Sequence, residues 1–158
     1  PKEKSSKFCV FVFFSLRPFN FELPPPCAAG YILFTSKRVC RLAAKTTARV
    51  IVQSFDRRTL EAVKRLEPGL RTAMLTSDNL VDFAALAAAG KFDTISPDHQ
   101  WVTKADVEAL HRLKVQVAPW TVNDEAGWSR MLELGVDAVI TDYPEDLVAY
   151  LKGRDLRD

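Results

Sequence analysis

Three short stretches of this sequence hold residues suited to gripping a small polar molecule. They are Gln53-Ser54-Phe55-Asp56, Pro119-Trp120-Thr121-Val122-Asn123-Asp124 and Ile140-Thr141-Asp142-Tyr143-Pro144. Trp120 offers a flat ring for carbon-bound hydrogens and an indole N–H for a hydroxyl. Ser54 adds a hydroxyl, Phe55 an apolar contact, and Asn123 an amide that both donates and accepts. Each also has a plainer use: Trp120 as a core ring, Phe55 as core packing, and Asn123, Asp124 and Thr141 with Asp142 as caps of strand-to-helix turns. Groups for moving protons are scarce. The sequence has two histidines. His99 lies in the loop Pro97-Asp98-His99-Gln100, where a solvated loop role is expected, and His111-Arg112 falls inside an amphipathic helix pattern, where no catalytic role is expected.

The elements that must position these stretches are legible as a repeat. From Arg49 onward, short apolar runs recur at Val50-Ile51-Val52, Thr72-Ala73-Met74-Leu75, Phe92-Asp93-Thr94-Ile95, Val115-Gln116-Val117-Ala118 and Ala138-Val139-Ile140, roughly 22 residues apart, the length of one strand plus one helix. Between them, Leu60, Val63 and Leu66 mark one helical face, and Val107, Leu110 and Leu113 mark another. Trp128, Met131 and Leu132 read as a third.

The punctuation agrees with this reading. Thr103 with Asp106 forms a capping-box pattern, and Pro144 with Glu145 and Asp146 suits a first helical turn. Gly90 and Gly135 stand where left-handed C-terminal caps are expected. Five strand-helix units in a row predict an α/β fold with a parallel sheet. The sheet is either open and doubly wound or part of a closed eight-stranded barrel, with functional groups gathered just past the C-terminal strand ends.

Composition breaks near Arg49. All three cysteines, Cys9, Cys27 and Cys40, and seven of the ten phenylalanines precede it. The cysteines are too far apart for a metal-binding pair and odd in number for a closed disulfide framework. The run Phe8 to Phe14 is too short to cross a bilayer. Lys2, Lys4 and Lys7 before it and Ala28-Ala29-Gly30 after it give a weak signal-peptide pattern, which Pro24-Pro25-Pro26 interrupts. Residues 1–48 are therefore expected to be a disordered or wrongly delimited segment without function, 49–152 the repeat, and 153–158 a tail. The net charge of +2, with both signs interleaved, gives no footprint for nucleic acid.

Strand plus Ser54-Phe55-Asp56, then Pro119-Trp120-Thr121-Val122-Asn123, then Gly135 through Pro144 (GVDAVITDYP), in this order and spacing, resembles the glycerophosphodiester phosphodiesterases over about Arg49 to Leu151. The resemblance implies a (β/α)8 TIM barrel of which this chain holds about strands four to eight. It implies hydrolysis of a small-molecule glycerophosphodiester to an alcohol and glycerol phosphate, within lipid metabolism. It further implies a divalent metal, Ca or Mg, and two histidines acting on the phosphate. The family's His-Arg-Gly, Glu-x-Asp and Glu-x-Lys motifs belong to the first three strands and are not in this sequence. No catalytic or metal-ligating residue is therefore assigned here, and the substrate-binding candidates are Trp120, Ser54, Phe55 and Asn123. The chain is expected to be inactive alone.

The alternative is a non-catalytic partial-barrel scaffold that binds a partner through its sheet edges. A nucleotide-binding open sheet would need a glycine-rich loop where Ser54-Phe55-Asp56-Arg57-Arg58 stands. Strand counting adds a last expectation. Bare edges at the Val50 and Ala138 strands, and partly uncovered Val52, Ile95, Val117 and Val139, favour self-association unless Phe8–Phe14 or Tyr31–Thr35 docks as a surrogate strand.

Overall fold

A computed structural model describes residues 9–12, 51–79 and 82–154. In chain order the elements are β1 (Cys9–Val12), β2 (Ile51–Ser54), α1 (Arg57–Leu66), β3 (Arg71–Thr76), α2 (Phe83–Gly90), β4 (Thr94–Pro97), α3 (Lys104–Arg112), β5 (Gln116–Val117), α4 (Glu125–Leu134), β6 (Ala138–Thr141) and α5 (Pro144–Lys152). Strands β2, β3, β4 and β5 form one parallel sheet in that order, and β1 pairs in parallel with β6.

Backbone bonds from Asp137 N to Val117 O (3.0 Å), Ile140 N to Pro119 O (2.9 Å) and Val122 N to Ile140 O (2.9 Å) stitch β6 onto the β5 segment. The strands thus follow one another as β2-β3-β4-β5-β6-β1. The helices between consecutive strands from β2 to β6 pack on one side of the sheet, the arrangement of a partial (β/α) barrel.

The strand expectations hold at all five positions, and β1 adds a strand inside the Phe8–Phe14 run. The expectation of a bare edge on β6 is corrected: Cys9 to Val12 lie in register against Ala138 to Thr141. The outer edge of β2 has no strand partner among the described residues. The Tyr31–Thr35 candidate lies outside the described residues.

Alternation along each strand divides the sheet into two faces. Val52, Met74, Ile95, Val117 and Val139 point toward the helices and join Leu60, Phe83, Leu110, Trp128, Met131 and Leu151 in one core. The expectation that Val52, Ile95, Val117 and Val139 would be partly uncovered is corrected. They are buried because their face is the one the five helices cover. The other face carries Ile51, Ala73, Thr94, Ser96, Ala118 and Ile140 toward the inside of the curve.

Two helical-face assignments also need correction. Leu66 and Leu113 are 49% and 48% exposed, whereas Leu60, Val63, Val107 and Leu110 are buried. Each step of three residues falls about 60° short of a full turn, so a third residue in an i, i+3 series lies about 120° from the first. That rotation carries both leucines off the buried stripe at the helix ends.

The helix starts follow the sequence signals. Asp56, Asp82, Thr103 and Asp124 are N-caps whose side chains accept from Arg58, Ala85, Asp106 and Gly127 N–H, and the Thr103–Asp106 capping box is complete. Pro144 opens α5 with Glu145 and Asp146 in its first turn. Gly135 is a left-handed cap at φ 78°. Gly90 is not: Lys91 takes the left-handed position at φ 52°, and Gly90 is the last residue of α2. A Cβ at Gly90 would sit 2.1 Å from the Phe92 ring, so glycine is needed there for close packing.

A device repeated 44 residues apart fixes the N-terminal ends of the strands. Asp93, just before β4, accepts from Thr72 N (2.7 Å) on β3 and from Lys64 Nζ (2.6 Å) on α1. Asp137, just before β6, accepts from Val117 N (2.8 Å) on β5 and from His111 Nε2 (2.8 Å) on α3. Each carboxylate satisfies a strand-end N–H and draws in a basic residue from a preceding helix.

Candidate functional site

The C-terminal ends of β2, β4, β5 and β6 bring the three chemistry-bearing stretches onto one rim. Ser54 ends β2, and its Oγ accepts from Asp56 N at 3.0 Å, shaping the turn into α1. That turn leaves Phe55 53% exposed, so the core-packing expectation for Phe55 is corrected. A residue between a strand end and a helix cap has no opposing layer to enter.

Phe55 instead meets Trp120, with ring centroids 5.4 Å apart and planes at 82°. Such an edge-to-face pair aligns the positive ring edge with the negative ring face.

Trp120 is held from three directions. Its N–H donates to Pro97 O and its carbonyl accepts from His99 N, both at 3.0 Å, forming a bridge beside β4. Its indole Nε1 donates to Ser96 O at 2.8 Å. The indole N–H was expected to serve a substrate hydroxyl; it is committed to the β4 backbone. The half-buried ring therefore supplies its face and a fixed orientation.

Asn123 is not a helix cap, a role that falls to Asp124. Its Nδ2 donates to Asp142 Oδ2 (2.7 Å), while its Oδ1 accepts from Asp142 N (2.9 Å) and Thr141 Oγ1 (3.1 Å). The amide ties the loop after β5 to the loop after β6. Thr141 Oγ1 also accepts from Tyr143 N at 3.1 Å, which turns the chain into α5.

Arg130 and Trp101 were not singled out from the sequence, and Tyr143 entered only as a member of its stretch. Arg130 on α4 donates from Nη1 to His99 O (2.6 Å) and from Nη2 to Val102 O (2.9 Å), fastening the loop between β4 and α3. Its partners are backbone carbonyls, which leave no signal in residue types. Trp101 and Tyr143 are 40% and 53% exposed in the loops after β4 and β6. With Phe55 they place three exposed aromatic rings on rim loops.

The charged rim residues are largely engaged with their own loops. Asp56 accepts from Arg58 and caps α1, and the Arg58 side chain, followed by its backbone N–H, holds the Asp56 carboxyl below the usual aspartate range. Arg57 pairs with Glu61 at 2.7 Å, and Asp98 accepts from Gln100 N at 2.9 Å. His111 lies at the opposite end of the strands with Asp137, away from this rim.

Among the described residues no group of three or more His, Cys, Asp or Glu is placed to hold a metal ion. The described residues do not fit the divalent ion that the family resemblance implies. No helix among the described residues is long and apolar enough to cross a membrane. The arrangement is a rim of aromatic faces backed by a hydrogen-bonded frame.

The family model for the glycerophosphoryl diester phosphodiesterase family matches residues 29–146. A glycerophosphodiester phosphodiesterase of Caldanaerobacter subterraneus subsp. tengcongensis is 33% identical over 100 residues, covering 63% of this chain and 41% of that protein. The chain spans about two fifths of the length of the curated relatives it matches. The crystal structure of a putative glycerophosphodiester phosphodiesterase from Galdieria sulphuraria superposes with a TM-score of 0.68 at 27% identity, over 73% of this chain and 50% of that one. An Oleispira antarctica phosphodiesterase, solved with the product sn-glycerol-3-phosphate, shares the fold at a TM-score of 0.61 and 19% identity, over 65% of this chain and 42% of that one.

Proposed function

The chain belongs to the glycerophosphoryl diester phosphodiesterase family, and from that membership we propose that it provides the alcohol- or glycerol-facing wall of a phosphoric diester hydrolase acting on glycerophosphodiesters. The observation that carries this reading is the Phe55–Trp120 pair at the strand ends, with the Trp120 indole fixed by Ser96. An aromatic face orients the carbon-bound hydrogens of glycerol or of an alcohol head group. Ser54 and Asn123 stand in the flanking turns, and their hydrogen bonds hold the wall in shape. The product bound in the Oleispira antarctica relative supports a small-molecule ligand of this class.

Hydrolysis itself is assigned to the complete enzyme, with a divalent metal, Ca or Mg, and proton-transfer groups from elements outside this sequence. Those groups are the main sources of rate in such chemistry. The purified chain is expected to release no choline from glycerophosphocholine with either metal. Titration with sn-glycerol 3-phosphate is expected to change the tryptophan emission of the chain but not of Trp120→Phe. Metal-dependent turnover that survives repurification would overturn the division of labour. An emission change identical in the two proteins would remove Trp120 from the wall and favour the scaffold reading.

A further inference from the structure

We infer that Arg130, an exposed residue of α4, is a positioning residue for Trp120 and acts through the loop between β4 and α3. The relay stands on geometry alone, while its consequence for ligands rests on the reading of Trp120 as part of a binding wall. Every hydrogen bond that holds Trp120 among the described residues goes to one short segment. Its N–H donates to Pro97 O and its carbonyl accepts from His99 N, both at 3.0 Å, and its indole Nε1 donates to Ser96 O at 2.8 Å. The ring therefore inherits its placement from residues 96–99. Ser96 and Pro97 are held in β4 by their register with Leu75 and Thr76 of β3, whereas His99 lies beyond the end of the strand.

Arg130 grips the chain at that point. Its Nη1 donates to His99 O at 2.6 Å and its Nη2 to Val102 O at 2.9 Å, so His99 gives its N–H to Trp120 and its carbonyl to Arg130. Among the described residues the guanidinium makes no ion pair, and its charge is directed at these two carbonyls. Charged donors make stronger bonds than neutral ones, and two nitrogens of one planar group fix both acceptors relative to each other. The loop has supports of its own: Gln100 N and Trp101 N bond to Asp98, and Val102 is buried. Those supports set its shape and anchor its far end, while Arg130 joins its near end, His99, to α4. That helix is capped by Asp124, four residues after Trp120, so the helix following Trp120 reaches back to the loop that holds it.

Trp128 supplies an internal control for the test. It stands on α4 two residues before Arg130, and its indole Nε1 donates to Val122 O at 2.8 Å. Exchange of the indole N–H groups with deuterium, followed by NMR on the full chain, reads the opening of each bond separately. In Arg130→Met the Trp120 indole is expected to exchange about tenfold faster or more, the scale of one lost hydrogen bond to a charged group, with the Trp128 indole unchanged. Arg130→Lys keeps the charge without the planar fork and is expected to fall between. Arg130→Met is also expected to weaken the response of tryptophan emission to sn-glycerol 3-phosphate. Unchanged Trp120 exchange in Arg130→Met overturns the proposal, because the loop then holds Trp120 unaided. Equal acceleration at both indoles overturns it too, because the substitution then only loosens α4. An unsubstituted chain that gives no response to sn-glycerol 3-phosphate counts against the binding wall instead, and the exchange rates still decide the relay.

Discussion

The rings of Phe55 and Trp120 stand edge to face, 5.4 Å apart at 82°, although 65 residues separate them in the chain. Sequence proximity does not bring them together; three parallel strand pairings from β2 to β5 do.

That pairing separates a binding role from a packing role. Edge-to-face contacts contribute roughly 0.5–1.5 kcal/mol, and Phe55 is half exposed, so Phe55→Ala is expected to lower stability by about 1 kcal/mol. Trp120→Ala at the matching position of a full-length relative is expected to weaken substrate binding or turnover more than folding. A purely structural ring would instead lower stability by about 3–5 kcal/mol and leave the kinetics of the folded fraction unchanged. Chemical denaturation and kinetics on the same samples distinguish the two.

The paired carboxylates at the other end of the strands give a second expectation. Asp137→Ala leaves Val117 N–H unpaired, and Asp93→Ala does the same to Thr72 N–H. Each is expected to lower stability by about 1–3 kcal/mol. His111→Ala removes only the outer, solvent-screened partner of Asp137 and is expected to shift stability by less than about 1 kcal/mol. Equal losses for His111→Ala and Asp137→Ala in urea melts would contradict this order.

The docking of β1 on β6 bears on association. Without residues 1–48, β6 loses the partner of Cys9 to Val12, and among the described residues the outer edge of β2 already has no strand partner. Exposed edges recruit other chains through their free N–H and C=O groups. Residues 49 to 158 expressed alone are expected to self-associate or to melt without cooperativity. Light scattering and a thermal melt decide, and a monodisperse monomer with a sharp transition would count against it.

Asp56 supplies a pH dependence of known sign. Hydrogen bonds from Arg58 stabilise the carboxylate in the folded chain, so its folded pKa lies below the ordinary 3.8. The stabilisation is complete above the unfolded value and is lost as pH falls through the folded one. Asp56→Asn is expected to flatten that part of the acid limb in a stability profile measured from pH 6 down to pH 2. An unchanged acid limb would show that the cap does not contribute there.

The sequence by itself determined the repeat of strand and helix and most of its punctuation, because those depend on local rules. Apolar runs such as Ala138-Val139-Ile140 declare strands, and Thr103 with Asp106 satisfies the free N–H groups of its own helix within one turn. The motif order also determined the family, since Trp120 and Asp142 stand at fixed distances from their own strands. Tertiary structure decided what each polar group is used for. The Trp120 indole is spent on Ser96, 24 residues away, and Asn123 on a loop 19 residues ahead. Arg130 reaches back to carbonyls of His99 and Val102. Hydrogen-bond partners across strands follow from register and sheet curvature, which no single stretch of residues encodes.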